Sequence, residues 1–171
     1  MCGGEISMGI KTINKSIQSI QESLNEILSI TEDLSEETIR WNPTIEEWSI
    51  LQILSHLGEA IPYWLGEVKR VVDAPGSAWG RGLQDAARLA AVTNMEELSV
   101  ENVITEVAKL KQQVASELQE LNEEKLQKES PHRNFAKFGN KPVSFIIDHF
   151  IEDHIAGHCA QIKRNLSKLE K

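Results

Sequence analysis

The sequence predicts an all-α fold, a four-helix bundle formed by a single domain over residues 1–171. Four long stretches repeat apolar residues at alternating spacings of three and four, which is the pattern of a helix with one buried face. No stretch alternates apolar and polar residues convincingly, so strands are not expected. Helices of roughly 20 to 25 residues would be about 30 to 38 Å long, a length that suits a bundle.

The first helix is predicted from Ile10 to about Leu34. Beyond it, the segment Trp41-Asn42-Pro43 breaks the pattern, because a proline disfavours helical geometry in the residue before it. Polar residues separate the members of the apolar seam of the first helix, which are Ile10, Ile13, Ile17, Ile20, Leu24 and Ile27.

The second helix is expected to begin near Ser49, where Ser49 and Gln52 stand in the register of a capping box. Pro62 removes an amide donor inside this helix and should kink it. Residues 73–82 are rich in glycine and proline and predict a loop, and a short connecting helix is expected over residues 83–92. The apolar face of the second helix carries Ile50, Ile53, Leu57, Trp64, Val68 and Val71.

The third helix has the clearest apolar seam of the chain, flanked by glutamate, lysine and glutamine. A polar connection over residues 129–142 follows it and contains the aromatic residues Phe135 and Phe138. The seam of the third helix consists of Val100, Val103, Val107, Leu110, Val114, Leu118 and Leu121.

The composition excludes several classes of function. The net charge of -8 is too acidic for a protein that binds a phosphate backbone, so no nucleic-acid partner is expected. No run approaches the roughly 20 apolar residues that cross a bilayer, and residues 1–10 lack the features of a signal peptide. We therefore expect a cytoplasmic protein without a membrane partner. Cys2 and Cys159 lie far apart and form no CxxC motif, so a disulfide is not expected, and Cys159 is interpreted as a small apolar helix residue.

The fourth helix is expected from Val143 or Ser144 to Leu169, with a proline before it at a position where helices tolerate one. Its apolar stripe leads to His154 and His158 on the same face. Because residues four apart lie on one side of a helix, both imidazoles can reach one metal ion.

The pair does not form the zincin motif, since the residues between His154 and His158 include no glutamate that could act as a general base. Metalloprotease chemistry is therefore disfavoured. By itself the pair is also compatible with two core or interface histidines whose nitrogens are satisfied by hydrogen bonds.

His56 lies at the edge of the apolar face of the second helix. A lone histidine there is usually a packed residue, but a bundle can bring one ligand from one helix and two from another into its core. With His154 and His158 it would supply three neutral nitrogen donors, which suit zinc or nickel and leave a coordination position open. His149, on the polar side of an ideal fourth helix, and His132, in the polar connection, are interpreted as solvated.

Two motifs resemble the signatures of the DinB-like, or YfiT-like, superfamily. Residues 48–57, WSILQILSHL, resemble the second-helix signature of that family, and residues 154–162, HIAGHCAQI, resemble its last-helix signature HxxxHxxQI. The segment Trp41-Asn42-Pro43 resembles the turn between the helices. The resemblance spans the chain from the first helix to about Leu166.

The resemblance implies a bundle of up-down-down-up connectivity, frequent homodimers and a metal site. Carried over residue by residue, the metal ligands are His56, His154 and His158, and Gln161 is a candidate for supporting a ligand. Cys159 departs from the residue types that often follow the second histidine of the motif, without affecting the ligands.

The resemblance also frames three hypotheses on function. Relatives include transferases and isomerases that use low-molecular-weight thiols such as bacillithiol or mycothiol, which favours a metal-dependent S-transferase acting on small electrophiles. A metal ion can deprotonate a thiol at neutral pH and so supply the nucleophile. The alternatives are a metal-dependent hydrolase and a non-catalytic, stress-related metal-binding protein.

If the protein has a small-molecule substrate, two loops, residues 73–82 and residues 129–142, would form part of the rim of its pocket. The candidate contacts in these loops are Trp79, Arg81, Arg133 and Phe138, although each of them taken singly is more simply interpreted as an ordinary loop residue.

Overall fold

The predicted all-α four-helix bundle is confirmed by a computed structural model, which describes residues 2–170 and side chains from residue 13 onward. Ile10 and Cys2 therefore lie outside the described side chains. The short helices α2 (Glu36–Arg40), α4 (Ala86–Ala90), α6 (Glu123–Leu126) and α7 (Phe135–Phe138) connect the long ones. The long helices are α1 (Cys2–Glu32), α3 (Ile50–Asp73), α5 (Val100–Leu118) and a last helix that begins at Val143.

The last helix consists of three consecutive segments, which are α8 (Val143–Phe145), a π-helical stretch (Ile146–Glu152) and α9 (Asp153–Leu169). The sequence predicts these bounds but not the π-helical stretch. Such stretches are short, rare and frequently found at functional sites.

Contacts of α1 show the direction of its neighbours. The Gln21 side-chain amide donates to the Lys111 carbonyl, and nearer the end of α1 Leu28 borders the same groove as Val100, so α1 and α5 are antiparallel. An ion pair between Glu26 and Lys163 joins the later part of α1 to the later part of α9. Ser16 and Glu152 lie together at the earlier parts, so α1 and the last helix are parallel.

Contacts of α3 complete the arrangement. Gly58 lies against Glu106 in the earlier parts of α3 and α5, and Val72 and Leu118 line one groove near the ends of both helices, so α3 and α5 are parallel. The Trp64 and Phe150 rings stack, whereas the Trp48 carbonyl accepts from Asn165, so α3 and the last helix are antiparallel. The four long helices thus run up, down, down and up.

The predicted seams form the core between these helices. Ile20, Leu24 and Ile27 of α1 are fully buried, as are Val107 and Val114 of α5. Burial of such side chains contributes about 1.5–3 kcal/mol each relative to exposure.

Both halves of the capping box at the start of α3 are present, because Ser49 accepts from the Gln52 amide while the Gln52 side chain accepts from Ser49 N–H. The helix continues through Pro62 to Asp73, so the expected kink stays a prediction.

The connection over residues 129–142 differs from the prediction. It contains two short antiparallel strands, β1 (Glu129–Pro131) and β2 (Asn140–Pro142), with α7 between them, so the expectation of no strands is wrong here. The hairpin also binds the loop after α3, because Trp79 N–H donates to the Pro131 carbonyl and Arg133 N–H donates to the Trp79 carbonyl. Pairing between two loops is a long-range contact that no local sequence pattern indicates.

Within residues 2–170, none of the helices combines the length and the apolarity that a bilayer crossing needs.

Candidate metal centre

Three histidine side chains from two antiparallel helices meet at one point of the bundle. His56 of α3 is buried, and His154 and His158 of α9 are partly buried. One ring nitrogen from each residue lies within 4.8 Å of the other two, and the Nε2 atoms of His56 and His154 are 3.0 Å apart. The three imidazoles could hold one metal ion.

Hydrogen bonds orient two of the rings. His154 Nδ1 lies 3.1 Å from the Phe150 carbonyl, and His158 Nδ1 lies 2.7 Å from Gln161 Oε1. Both oxygens are acceptors, so each Nδ1 carries the proton and each Nε2 keeps its lone pair. Metal-ligating histidines are commonly oriented in this way.

The third ring is less constrained. His56 Nδ1 is buried and has no hydrogen-bond partner among the described residues. His56 can donate from Nε2 to His154, or it can carry its proton on Nδ1 and direct the Nε2 lone pair to the point that the other two face. The second arrangement supplies three nitrogen donors to one ion.

Burial keeps the histidines neutral, which is the form that binds metals. Burial, assisted by the charges of His154 and His158, lowers the pKa of His56 to about 3. Burial and the charge of His158 lower the pKa of His154 to about 4, and burial also lowers the pKa of His158. The positive charge of Arg88 acts in the same direction on all three.

The histidines form one wall of a cavity of about 360 Å³, a volume within the range of small-molecule sites. Trp48 closes the site on one side, since its ring centre is 5.1 Å from that of His56 and its ring stacks on His158. Apolar and charged side chains share the lining, which comprises His56, Trp64, Arg81, Gly82, Leu83, Arg88, His149, Phe150, Asp153, His154 and His158.

Comparisons with known proteins agree with this architecture. Residues 19–162 match the family model described as the DinB superfamily. The chain belongs to the DinB superfamily. A solved structure entitled "YfiT from Bacillus subtilis is a probable metal-dependent hydrolase with an unusual four-helix bundle topology" is similar, with a TM-score of 0.73 and 12% sequence identity. The match covers 92% of this chain and 89% of that chain. No curated protein sequence matches the chain.

The DinB superfamily resemblance drawn from the two motifs is therefore confirmed. The structure brings together the three histidines that the motifs single out, and it places Gln161 against one of them. Cys159 is buried and free, and burial raises the pKa of its thiol, in agreement with its interpretation as an apolar residue.

The loop residues expected to contact a substrate are placed differently. Arg81 lines the cavity, but Trp79, Arg133 and Phe138 do not. Trp79 is fully buried, and its Nε1–H donates to the Ser130 carbonyl, because the pairing of its loop with the hairpin turns it into the core.

Two histidines also differ from their sequence-based interpretation. His132 is buried rather than solvated, and its ring lies 4.5 Å from that of Trp79. His149 is exposed as expected, but it lines the cavity together with His154 and does not lie on the opposite side of the last helix. The cause is the π-helical stretch, whose hydrogen bonds span five residues and bring positions five apart towards one side of the helix.

Six cavity residues of this DinB superfamily bundle were not assigned to the site from the sequence, namely Trp64, Leu83, Arg88, His149, Phe150 and Asp153. Trp64 lies about two turns after His56 on the predicted second helix, and Asp153 immediately precedes His154 on the fourth, so these positions could have placed them near the histidines. Arg88 gave no such signal, because α4 is short and its packing against α3 is a tertiary contact.

Proposed function

We propose that this chain is a metal-dependent S-transferase that joins a low-molecular-weight thiol of the bacillithiol type to small electrophiles. Its ligands for one zinc or nickel ion would be His56, His154 and His158, with Gln161 orienting the last of them. The observation that carries the proposal is the cluster of three neutral imidazoles at the wall of an open cavity.

The donor set fits such an ion. Nitrogen ligands suit zinc and nickel, and three protein ligands with one position left open are the usual arrangement of catalytic zinc. The Nδ1–H groups of His154 and His158 already have acceptors, so Nε2 carries the lone pair of each ring that an ion would use. All three ligands are uncharged and would leave the full charge of the ion to act on a bound group.

A bound divalent ion would lower the pKa of a thiol in the cavity, so that the thiolate is present at neutral pH. The cavity walls Trp64, Leu83 and Phe150 are apolar and would hold an organic electrophile beside it. His149 is an exposed imidazole at the same wall and could accept the proton that the thiol releases. The sulfur then bonds to the electrophilic carbon and the leaving group departs with its electron pair.

The second candidate is a metal-dependent hydrolase. The description of the Bacillus subtilis YfiT structure favours it, and so does the presence of His149 and Asp153 in the cavity, where either could accept a proton from water. A non-catalytic, stress-related metal-binding protein is the third candidate, since a bound ion can stabilise a fold without turnover.

We further propose a cytoplasmic homodimer. The free thiol of Cys159 suits a reducing compartment, and the family resemblance supports the dimer.

The metal site is tested on protein purified without a histidine tag. Metal analysis should find about one zinc or nickel ion per chain, and His154→Ala should lose it, because two ligands hold such ions much more weakly than three. His149→Ala is the matched control, since it removes a histidine of the same cavity that is outside the cluster. Wild-type protein that is stable, metal-free and unresponsive to added zinc would contradict the site.

The reaction is tested on metal-loaded protein. A conjugation assay with bacillithiol and a chlorodinitrobenzene or bimane electrophile is run beside a panel of esters and amides. Conjugation that His154→Ala abolishes supports the S-transferase, and hydrolysis lost in the same variant supports the hydrolase instead. Tight metal binding without turnover in either assay favours the binding protein.

A further inference from the structure

Arg88 carries an unbalanced positive charge into the cavity of the histidines. Its Nη1 donates to the Leu83 carbonyl at 3.0 Å, and its guanidinium carbon lies 5.8 Å from the centre of the Trp48 ring. The same ring lies 5.1 Å from the ring of His56. Arg88 and His56 therefore both lie beside the Trp48 ring, and Arg88 lines the same cavity as the three histidines.

The other arginine of the cavity is differently placed. Arg81 donates to both carboxylate oxygens of Glu59, at 2.8 and 2.5 Å, and to Asp85 at 3.2 Å. Its guanidinium carbon also stands 4.0 Å from the centre of the Tyr63 ring. Arg81 is thus held by the protein, and its charge is balanced.

Among the residues whose side chains the structure describes, no carboxylate forms an ion pair with Arg88. Asp85 contacts only its backbone, where the carboxylate accepts from Arg88 N–H at the start of α4. Asp153 is the acidic residue of the cavity lining, and it is exposed to solvent on the opposite helix. The guanidinium can therefore still pair with an anion.

We infer that Arg88 binds an oxyanion group, a carboxylate or a tetrahedral oxyanion, on the small thiol whose sulfur meets the three histidines. The inference rests on the proposed metal-dependent reaction. A guanidinium presents a planar fork of N–H donors that matches such groups. A thiolate and an oxyanion would together also offset the charge of a divalent ion beside three neutral ligands.

The experiment uses Co²⁺-loaded full-length protein, because absorption from thiolate-to-cobalt charge transfer reports thiol binding without any turnover. The probes are 3-mercaptopropionate, 2-mercaptoethanesulfonate and the uncharged 3-mercapto-1-propanol. Wild-type protein should bind an anionic probe about tenfold more tightly than the uncharged one, the effect of one charge-assisted hydrogen-bonded pair. The first two probes distinguish a carboxylate from a tetrahedral oxyanion.

The preference should disappear in Arg88→Gln and should persist, reduced, in Arg88→Lys, which keeps the charge but loses the fork. Arg133→Gln is the matched control, since it removes the same charge from an exposed arginine outside the cavity and should keep the wild-type preference. Cobalt absorption in the absence of thiol confirms that each variant is folded and loaded.

Equal affinities for charged and uncharged probes in wild-type protein would overturn the inference. A preference that survives in Arg88→Gln would also overturn it, because the anionic group would then be bound elsewhere. Protein that takes up no cobalt would overturn the proposed metal site itself. The absorption of the thiol-free sample distinguishes this outcome from the other two, because it reports bound cobalt alone.

Discussion

Replacing Gly80 by alanine should destabilise the fold by about 3 kcal/mol. Gly80 has a φ of +91°, a conformation that costs a residue with a Cβ about 1–2 kcal/mol. Its Cβ would also lie 2.2 Å from Nε2 of His132, far inside van der Waals contact. Overpacking of this kind adds about 1–3 kcal/mol.

The clash is not easily relieved, because His132 is fixed on several sides. Its Nδ1 accepts from Asn134 N–H at 2.8 Å, and the rings of Trp79 and Phe138 both lie 4.5 Å from its own. The Gly80 amide in turn donates to Glu67 at 3.0 Å, so a shift of the backbone would break a buried hydrogen bond.

Thermal and urea unfolding measure the effect. For a chain of this size, 3 kcal/mol corresponds to a fall in Tm of about 6–12 °C. Gly66→Ala is the matched control, since Gly66 lies on an exposed position of α3 with nothing within 4 Å of its Cβ, and it should gain up to about 1 kcal/mol.

A double variant separates the two contributions. Gly80→Ala combined with His132→Ala should show a favourable coupling energy, because the second change removes the group with which the new methyl collides. A Gly80→Ala protein as stable as wild type, or the absence of coupling, would refute the reasoning.

Three further outcomes are expected. Glu67→Gln should lower the free energy of unfolding by about 2 kcal/mol, because Glu67 is buried and accepts four hydrogen bonds. In the same urea titration Glu106→Gln, which breaks an exposed ion pair, should change the free energy of unfolding by less than about 0.5 kcal/mol. Burial lowers the pKa of His132 below its ordinary 6.5, so as the pH falls His132 is protonated in the unfolded chain before it is protonated in the folded protein. The contribution of neutral His132 to the free energy of unfolding is then fully present above about pH 6.5 and declines as the pH falls towards the pKa of the folded state. His132→Gln should flatten that part of the plot of unfolding free energy against pH, and an unchanged slope would count against the prediction. In a Cys2→Ser background the buried thiol of Cys159, whose pKa burial raises, should react with a thiol reagent only in denaturant, and rapid labelling of native protein would show that the site opens.

The bounds of α3 and of the last helix were predictable because they depend on neighbours in sequence, whereas α1 begins at Cys2, before its predicted start. Ser49 and Gln52 form their capping box with atoms three residues away, and the seams follow the helical repeat. The i to i+4 spacing of His154 and His158 has the same local origin. His56 needed the family motif as well, because a lone histidine at its angular position is usually a packed residue.

The remaining features depend on contacts between segments far apart in the chain. Trp79 and His132 look like residues of polar loops, yet the pairing of those loops buries them both. His149 reaches the cavity through the π-helical stretch, whose origin no local pattern in the sequence indicates. Arg88 lies there because α4 packs on α3.

By itself, then, the sequence determined four amphipathic helices, the capping box of the second and two histidine-bearing motifs, since hydrogen bonding and periodicity act within a few residues. Only the tertiary structure decided that the three imidazoles meet at a cavity and that Arg88 lines it without a carboxylate ion-pair partner among the described side chains. The physical reason is that burial and electrostatic balance depend on every segment packed around a group, and these segments are brought together only by the fold.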